Sequence, residues 1–257
     1  MVRYTVAFAN QKGGVGKTTS CVNVAAAVAS MGYRVLLVDC DPQGNTTSGL
    51  GISKKDVRHT VYEALLEECA PVDCVVHTSV EGLDLVPSTI QLAGAEFELI
   101  DMEKREAQLK KFLAALPEDY DFAMIDCPPS LSMLTVNALA ASDGVIIPMQ
   151  CEYYALEGLT QLMLTIKKVK QLYNKNLSIL GILITMYNGR LNLSVQVLDE
   201  LKKYYADKLF PDPIPRSVKL TEAPSYGIPA VLYDKYNKGT QAYIKTAEEI
   251  LKRTGRR

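Results

Sequence analysis

Short apolar runs alternate with segments of helical period along most of the chain. The apolar runs predict buried strands at residues 4–9, 34–39, 83–87, 122–126, 144–148 and 179–185. The segments between them predict helices at 17–31, 91–116, 131–140, 156–173 and 193–205, and a last helix at about 239–252. Alternation of this kind is typical of repeated βαβ units. The pattern therefore predicts an α/β fold with a mostly parallel central sheet flanked by helices on both faces.

The remaining stretch, 210–236, is the least regular part of the sequence. It contains five prolines and predicts ordered loops and short helices. No Gly/Ser/Pro-rich linker, internal repeat or low-complexity tract interrupts the chain. With 257 residues, 48% of them hydrophobic, the sequence has enough apolar content for a core, and residues 1–257 are interpreted as a single domain.

Targeting signals and metal-binding cysteine patterns do not stand out. The N-terminal apolar run is too short for a signal peptide. No segment supplies the ~18 consecutive apolar residues of a membrane span. Residues 247–257 form a polar, basic tail without the apolar face of a membrane-lying helix. The six cysteines are scattered, which predicts reduced thiols in a cytoplasmic protein.

A glycine-rich loop follows the first predicted strand. Residues 10–19 read Asn-Gln-Lys-Gly-Gly-Val-Gly-Lys-Thr-Thr and lead directly into the first predicted helix. Strand, Gly-rich loop, Lys-Thr and helix in this order are what a P-loop requires. The glycines let backbone N–H groups converge on phosphate oxygens, Lys17 reaches the β- and γ-phosphates, and the Thr18 hydroxyl ligates Mg²⁺. A Gly-rich turn without a ligand is the alternative, and the strand–helix context argues against it.

The loop departs from the general P-loop pattern at two positions. Gln11 stands where that pattern has glycine, and Lys12 precedes the Gly-Gly pair. Two lysines are more positive charge than one triphosphate usually needs. The run from Lys12 to Thr18 resembles the deviant Walker A motif of the ParA/MinD ATPases.

Aspartates follow two of the predicted strands. Asp39 and Asp41 come at the end of the second strand, and Asp126 ends the strand at 122–126. Phosphoryl transfer to water needs a metal shell and a group that orients the attacking water. Asp39 and Asp41 can supply one of each, and Asp126 has the position of a Walker B carboxylate. The alternative for Asp41 is that it only starts a turn with the proline after it.

The match to one family extends over nearly the whole chain. Residues 10–19, 38–45, 125–130, 150–158, 214–216 and 222–225 resemble the ParA/Soj chromosome-partitioning ATPases. The resemblance implies a single P-loop ATPase domain that binds ATP and Mg²⁺. It also implies an ATP-dependent sandwich dimer that binds double-stranded DNA non-specifically. Hydrolysis would be stimulated by a ParB/Spo0J-like centromere-binding partner, in the cytoplasm and on the nucleoid.

The resemblance also assigns roles to residues. It places Thr18, Asp39 and Asp126 around Mg²⁺, and it makes Lys12, Lys17 and Asp41 the catalytic residues. Lys12 would reach across the dimer to the other subunit's ATP, and Asp41 would orient the attacking water. The ATP contacts fall on Lys12, Gly13, Gly14, Val15, Gly16, Lys17, Thr18, Thr19, Glu152, Met186, Pro215 and Arg216. The DNA contacts fall on Arg190, Arg216 and Lys219, each of which could instead be a solvated surface residue.

Net charge changes the picture of DNA binding. The 28 Lys and Arg residues against 29 Asp and Glu residues give −1, which excludes binding by overall charge alone. Between 235 and 257, however, seven Lys or Arg residues and two Glu residues give +5. This asymmetry predicts a basic C-terminal surface that joins the three DNA-contact residues.

Two other functions use the same loop. A MinD-like membrane-cycling ATPase would need an amphipathic C-terminal helix, and residues 246–257 offer no convincing one. A metal-cluster carrier would need a cysteine pair at a dimer axis, and the sequence has no C-x-x-C. DNA partitioning is therefore the favoured function, with the MinD-like function as the alternative.

Overall fold

The computed structural model describes residues 2–117 and 119–256. A seven-stranded sheet lies at its centre. Its strands are β1 (Thr5–Phe8), β2 (Val35–Asp39), β3 (Val76–His77), β4 (Leu83–Val86), β5 (Phe122–Asp126), β6 (Gly144–Met149) and β7 (Ser178–Ile184). They lie in the order β3-β4-β2-β5-β1-β6-β7. β3 pairs antiparallel with β4, and the other pairs are parallel. The mostly parallel sheet is therefore confirmed.

The helices connect these strands and cover the sheet. They are α1 (Lys17–Ser30), α2 (Asn45–Gly49), α3 (Val61–Leu66), α4 (Leu92–Glu98), α5 (Gln108–Ala115), α6 (Met133–Ala141), α7 (Ala155–Leu172), α8 (Asn192–Tyr205), α9 (Val218–Glu222), α10 (Ala230–Tyr233) and α11 (Lys238–Arg253). Short 3-10 turns lie at Pro71–Cys74, Leu99–Asp101, Arg105–Ala107 and Ala223–Tyr226.

Two hydrophobic cores lie on opposite faces of the sheet. One is built from α1, α11 and the α9–α10 region against one set of alternating strand residues. The other packs α3 to α8 against the opposite set. α1 is buried from Ser20 to Ala29 because it lies between the sheet and α11, and its alanines let both neighbours approach. Helices on both faces are the predicted α/β arrangement.

The predicted helix at 91–116 is wrong as one element. α4 and α5 are separate helices, joined by residues 99–107 with two 3-10 turns. Lys104 in this connection has φ 52°, a left-handed conformation that cannot continue an α-helix. α2, α3 and β3 were not predicted because their runs are too short to show a period. The loops and short helices expected at 210–236 are confirmed by α9, Ala223–Tyr226 and α10.

The C-terminal basic residues do not all form a surface. Arg253 donates hydrogen bonds to the carbonyls of Leu180 (2.8 Å), Lys208 (3.2 Å) and Leu209 (2.7 Å). Arg256 lies over the ring of Phe122, with its guanidinium carbon 4.6 Å from the ring centroid. These two arginines hold α11 and its C-terminal turn against the sheet. The predicted basic C-terminal surface is therefore wrong for both of them.

The C-terminal helix is amphipathic, so the expectation that residues 247–257 lack an apolar face is wrong, but this face is occupied. Tyr243, Ala247 and Ile250 of α11 are buried in the core that also contains α1. None of the helices in the described ranges combines the length and apolar character needed to cross a bilayer.

Candidate nucleotide-binding site

The P-loop and the three aspartates lie at the carboxyl edge of the sheet. β5 lies between β1 and β2, and residue Asp126 is the register partner of both Phe8 and Asp39. The P-loop therefore begins next to both strands that end in aspartate. Ligands of parallel α/β sheets bind outside the carboxyl ends of the strands, which is where these groups meet.

The P-loop backbone is held from outside the loop. Gly14 and Gly16 have φ values of 73° and 80°, conformations that side chains with a Cβ rarely adopt. The Gln150 side-chain amide donates to the Gly14 carbonyl at 2.7 Å, and the Thr185 hydroxyl donates to the Val15 carbonyl at 2.7 Å. These bonds come from the ends of β6 and β7. These bonds occupy two carbonyl groups of the loop. They do not involve its backbone N–H groups, which are the groups that bind phosphate in a P-loop.

Lys17 is the first residue of α1, and its side chain folds back over the loop. Its exposed fraction is 6%, and its Nζ donates to the Lys12 carbonyl at 3.2 Å. Burial lowers the pKa of Lys17, and the nearby charges of Asp126 and Asp41 oppose that effect. An ammonium group has three donors, so Lys17 retains the capacity to bind phosphate oxygens.

Asp39 and Asp126 are fully buried, and α2 supplies hydrogen-bond donors to both. Asp39 Oδ2 accepts from the Thr47 backbone N–H at 2.8 Å and from the Thr47 hydroxyl at 2.6 Å. Asp126 Oδ2 accepts from the Thr46 hydroxyl at 2.8 Å. Two adjacent threonines of one short helix thus orient both carboxylates. The Thr47 hydroxyl in turn accepts from the Ser88 N–H at 2.9 Å, which ties α2 to the end of β4.

Burial raises the pKa of Asp39 to about 6 and the pKa of Asp126 to about 7. The Asp39 carboxylate also raises the pKa of Asp126, and the Asp41 carboxylate raises the pKa of both, because like charges at one edge oppose ionisation. Asp126 Oδ1 is buried and has no hydrogen-bond partner among the described residues. An unpartnered carboxylate oxygen beside a second carboxylate is the donor set that a hard cation such as Mg²⁺ prefers.

The side chains at this edge suit a metal ion that takes some of its ligands from the protein and the rest from water and a bound substrate. In the described part of the chain, no group of three or more His, Cys, Asp or Glu side chains is arranged to hold a metal. Mg²⁺ is usually bound through one or two carboxylates, water and substrate phosphates. Thr18, Asp39 and Asp126 fit that description, with Thr18 on the wall of the cavity described below.

Asp41 starts a turn and also faces the loop. Its Oδ1 accepts from the Gln43 N–H at 2.9 Å, and its carbonyl accepts from the Ser88 hydroxyl at 2.9 Å. The Lys54 ammonium donates to the Gln43 carbonyl at 2.5 Å, which fixes the same turn from the far side. Asp41 therefore starts a turn and also lies on the wall of the cavity described below, while its role toward an attacking water stays a prediction.

A cavity of about 320 Å³ lies over the P-loop. Its lining residues are Gly13, Gly14, Gly16, Lys17, Thr18, Thr19, Asp41, Gln43, Asn45, Pro129 and Met186. A smaller and mostly apolar cavity of about 80 Å³ adjoins it at Gly16, Thr19 and Met186 and includes Pro215. The structure thus brings Met186 and Pro215 together beside the loop. Arg216 lines neither cavity.

Lys12 and Glu152 lie on the rim. They form an ion pair with each other, and their side chains remain 44% and 48% exposed. Tyr153 and Tyr154 follow Glu152 and are 75% and 70% exposed. The structure places both predicted ATP contacts near the cavity but pairs them within one chain.

The three predicted DNA-contact residues lie on neighbouring loops. Arg190 is exposed between β7 and α8, and Arg216 is exposed just before α9. A β-bridge between Tyr187 and Pro215 joins the two loops. Lys219 differs from these arginines: it is paired with Glu222 at 3.0 Å, so its charge is partly neutralised.

α2 also contacts the segment that follows α9. Its C-terminal end packs against the turn at Ala223–Tyr226. Gly51, just beyond α2, approaches Gly227 so closely that a Cβ at Gly51 would lie 3.0 Å from the Gly227 carbonyl oxygen. The element that orients the two buried aspartates therefore also touches the segment that follows α9.

Several residues that hold the site were not predicted from the sequence. They are Thr46, Thr47, Ser88, Gln150 and Thr185. Except for Thr47, which bonds Asp39 on the preceding strand, their side chains act on backbone or carboxylate groups far away in sequence. Only the Asn-Thr-Thr-Ser run after Gly44, typical of a helix start, could have drawn attention to α2.

Several known proteins are similar to this chain in sequence and in architecture. A family model described as an AAA domain matches residues 3–179. The sporulation initiation inhibitor protein Soj of Bacillus subtilis is 54% identical, over 95% of this chain and 97% of that protein. The chromosome partitioning protein ParA of Myxococcus xanthus is 49% identical, over 96% and 88%. A cobyrinic acid a,c-diamide synthase structure from Mycobacterium smegmatis, with a bound ATP analogue and magnesium, is 40% identical with a TM-score of 0.87, and covers 99% of this chain and 96% of that one. This chain belongs to the Soj/ParA family of P-loop ATPases.

Proposed function

We propose that this protein is a DNA-partitioning ATPase in which ATP and Mg²⁺ control dimerisation and DNA binding. The observation that carries the proposal is the different placement of two lysines in one phosphate loop. Lys17 is buried over the loop, whereas Lys12 is exposed on the rim and paired with Glu152. We infer that Lys17 holds the chain's own nucleotide and that Lys12 contacts a second copy of the chain.

Hydrolysis would use the groups at the carboxyl edge. Mg²⁺, when bound, would supply positive charge next to the β- and γ-phosphates, held by Thr18 with Asp39 and Asp126. Lys17 would bind the same phosphates from the loop side. The Asp41 carboxylate would orient the attacking water, and its turn holds it in place before any ligand arrives. The nucleobase would lie beside Met186 and Pro215.

Dimerisation would exchange one ion pair for another. Lys12 is paired with Glu152 of its own chain and would move to the γ-phosphate of the nucleotide bound by a second copy. A phosphate carries more negative charge than a carboxylate, so the exchange favours the dimer only while the γ-phosphate is present. This dependence would make association sensitive to hydrolysis.

DNA binding would follow from dimerisation. Arg190 and Arg216 are exposed on adjacent loops, and Lys219 lies close by in α9. Contacts from these residues to phosphates are independent of base sequence. A chain with a net charge of −1 holds DNA weakly, and two copies double the phosphate contacts. A ParB/Spo0J-like protein would stimulate hydrolysis and release the DNA, with the protein in the cytoplasm and on the nucleoid.

Retention of unrelated double-stranded DNA tests the proposal. The protein is mixed with DNA and ATP, ADP or no nucleotide, and the shifted fraction is measured on a gel. ATP should give stronger retention than ADP, and Arg190→Glu should reduce retention without changing ATP hydrolysis. Lys175→Glu, an exposed charge reversal after α7, is the matched control. Equal retention with and without nucleotide would disprove the coupling.

The MinD-like alternative is separated by a second assay. A membrane-cycling ATPase needs an apolar helical face that can enter a bilayer, and α11 buries its apolar face in the core that contains α1. Sedimentation with anionic liposomes in the presence of ATP measures the difference. ATP-dependent sedimentation of the folded protein would favour the membrane function over DNA partitioning.

A further inference from the structure

We propose that Cys69 and Cys74 form a redox-active dithiol that closes into an intramolecular disulfide when it meets a peroxide or a small-molecule disulfide. The pair lies in the connection between α3 and the edge strand β3, away from the groups assigned to ATP. The inference is independent of the proposed function.

The chain brings the two thiols together by reversing direction twice. α3 ends at Leu66, and Glu67 has φ 61°, which turns the chain back. Cys69 follows, and the 3-10 turn at Pro71–Cys74 carries Cys74 toward it. The two Sγ atoms are 2.7 Å apart, closer than non-bonded sulfur atoms normally pack. Closure to the ~2.05 Å of a disulfide requires a movement of roughly 0.7 Å, well within the flexibility of a loop.

The two thiols differ in access. Cys69 is partly exposed, whereas Cys74 has an exposed fraction of 0%. Burial and the neighbouring Cys69 thiol raise the pKa of Cys74, so it is held as the protonated thiol. An oxidant in solution therefore meets Cys69 first. Cys74 is in position to react second, as the resolving thiol.

The other four cysteines are less accessible to an oxidant than Cys69. Cys21, Cys40, Cys127 and Cys151 are all buried, and burial raises the pKa of each. Cys40 and Cys127 follow neighbouring strands, but oxidant cannot reach them without opening the core. Selectivity for Cys69 and Cys74 is thus a consequence of the fold.

The reaction balances with either oxidant. With hydrogen peroxide, the Cys69 thiolate attacks one oxygen, the O–O bond breaks, and a sulfenic acid and water form. The Cys74 sulfur then attacks the Cys69 sulfur, a second water leaves, and the S–S bond is complete. With oxidised glutathione, Cys69 forms a mixed disulfide and releases one glutathione, and Cys74 displaces the second. In both cases two thiols are oxidised and the reagent is reduced by two electrons.

Thiol labelling of the folded, full-length protein tests the proposal. Reduced protein is exposed to a graded series of oxidised glutathione or hydrogen peroxide, free thiols are alkylated, and peptides are identified by mass spectrometry. Cys69 and Cys74 should lose their reactivity together, and the intact mass should fall by two hydrogen atoms. Dithiothreitol should reverse both changes, while the other four cysteines remain reduced.

Two variants make the result decisive. In Cys69→Ser, Cys74 should stay reduced at oxidant concentrations that close the pair in the wild type. Cys151→Ser is the matched control and should leave closure of the pair unchanged. A stable glutathione adduct on Cys69 with Cys74 still free would overturn the proposal. So would oxidation of all six cysteines at one rate, or no loss of either thiol while circular dichroism shows the native fold.

Discussion

Replacing Arg253 by alanine distinguishes a structural arginine from a DNA-binding one. Its guanidinium donates to three backbone carbonyls at 2.7–3.2 Å and lies 4.5 Å from the ring centroid of Phe210. The side chain is only 18% exposed, so water replaces these contacts poorly. Hydrogen bonds from a charged donor contribute about 1.5–3 kcal/mol each but are not additive. We expect a loss of about 3 kcal/mol in the free energy of unfolding, or a melting temperature lower by roughly 10 °C.

Thermal and urea unfolding measure this loss, and Lys252→Ala is the control. Lys252 is the preceding residue of α11, is 75% exposed and pairs loosely with Glu249 at 3.7 Å. Its removal should change stability by less than about 0.5 kcal/mol. At a temperature where Arg253→Ala is folded, its ATP-dependent DNA retention should equal that of the wild type. The structural role of Arg253 is refuted if Arg253→Ala is as stable as Lys252→Ala. It is also refuted if Arg253→Ala is stable but no longer retains DNA.

Three further predictions concern the nucleotide site. Lys17→Ala should weaken ATP binding by on the order of 100-fold in a fluorescent-nucleotide titration, whereas Lys12→Ala should bind ATP normally. Equal losses of affinity in the two variants would contradict the different roles inferred for buried Lys17 and exposed Lys12. Without Mg²⁺ and nucleotide, the free energy of unfolding should fall as the pH rises from about 4 to about 7, because Asp39 and Asp126 lose their protons near pH 4 in the unfolded chain but keep them to a pKa of about 6 and about 7 when buried in the folded protein. Urea titrations of Asp126→Asn should show a shallower dependence, and an unchanged slope would exclude Asp126 as a source. Lys54→Ala should lower kcat roughly tenfold with little change in KM, because the turn that carries Asp41 loosens; the adjacent Lys55→Ala is the control, and equal effects of the two would argue against this role.

Much of the fold was predictable because the strands are buried on both faces. Continuous apolar runs such as Val35–Asp39 and Phe122–Asp126 stand out from the helical period around them. The P-loop was predictable for a different reason: its chemistry needs specific residues at fixed spacing. Six strands and the ends at which Asp39 and Asp126 lie therefore followed from local sequence.

The short elements were not predictable in the same way. α2 has five residues and β3 has two, which is too few to show a period. Their formation depends on contacts with neighbouring elements, such as the hydrogen bond from Thr47 to Asp39 and the pairing of β3 with β4. The break between α4 and α5 likewise depends on a backbone conformation at Lys104 that composition does not reveal.

Arg253 and Arg256 do not belong to the predicted basic C-terminal surface, because charge counting ignores what each side chain contacts. Long arginine side chains can cover apolar rings and satisfy backbone carbonyls, as Arg253 and Arg256 do. Lys219, which the family resemblance places among the DNA contacts, is paired with Glu222. Arg190 and Arg216 remain predictions: within residues 2–117 and 119–256, neither side chain makes structural contacts comparable to those of Arg253.

α2 has a mechanical consequence that its size does not suggest. Through Thr46 and Thr47 it is bonded to both buried carboxylates, and its other end rests on the turn at Ala223–Tyr226, directly after α9. A cation that pulls the carboxylates by a fraction of an ångström must move α2 or break its hydrogen bonds. A movement of α2 would then displace the turn at Ala223–Tyr226, which follows the helix that contains Lys219. A signal from metal to surface would therefore cross a single rigid element of five residues.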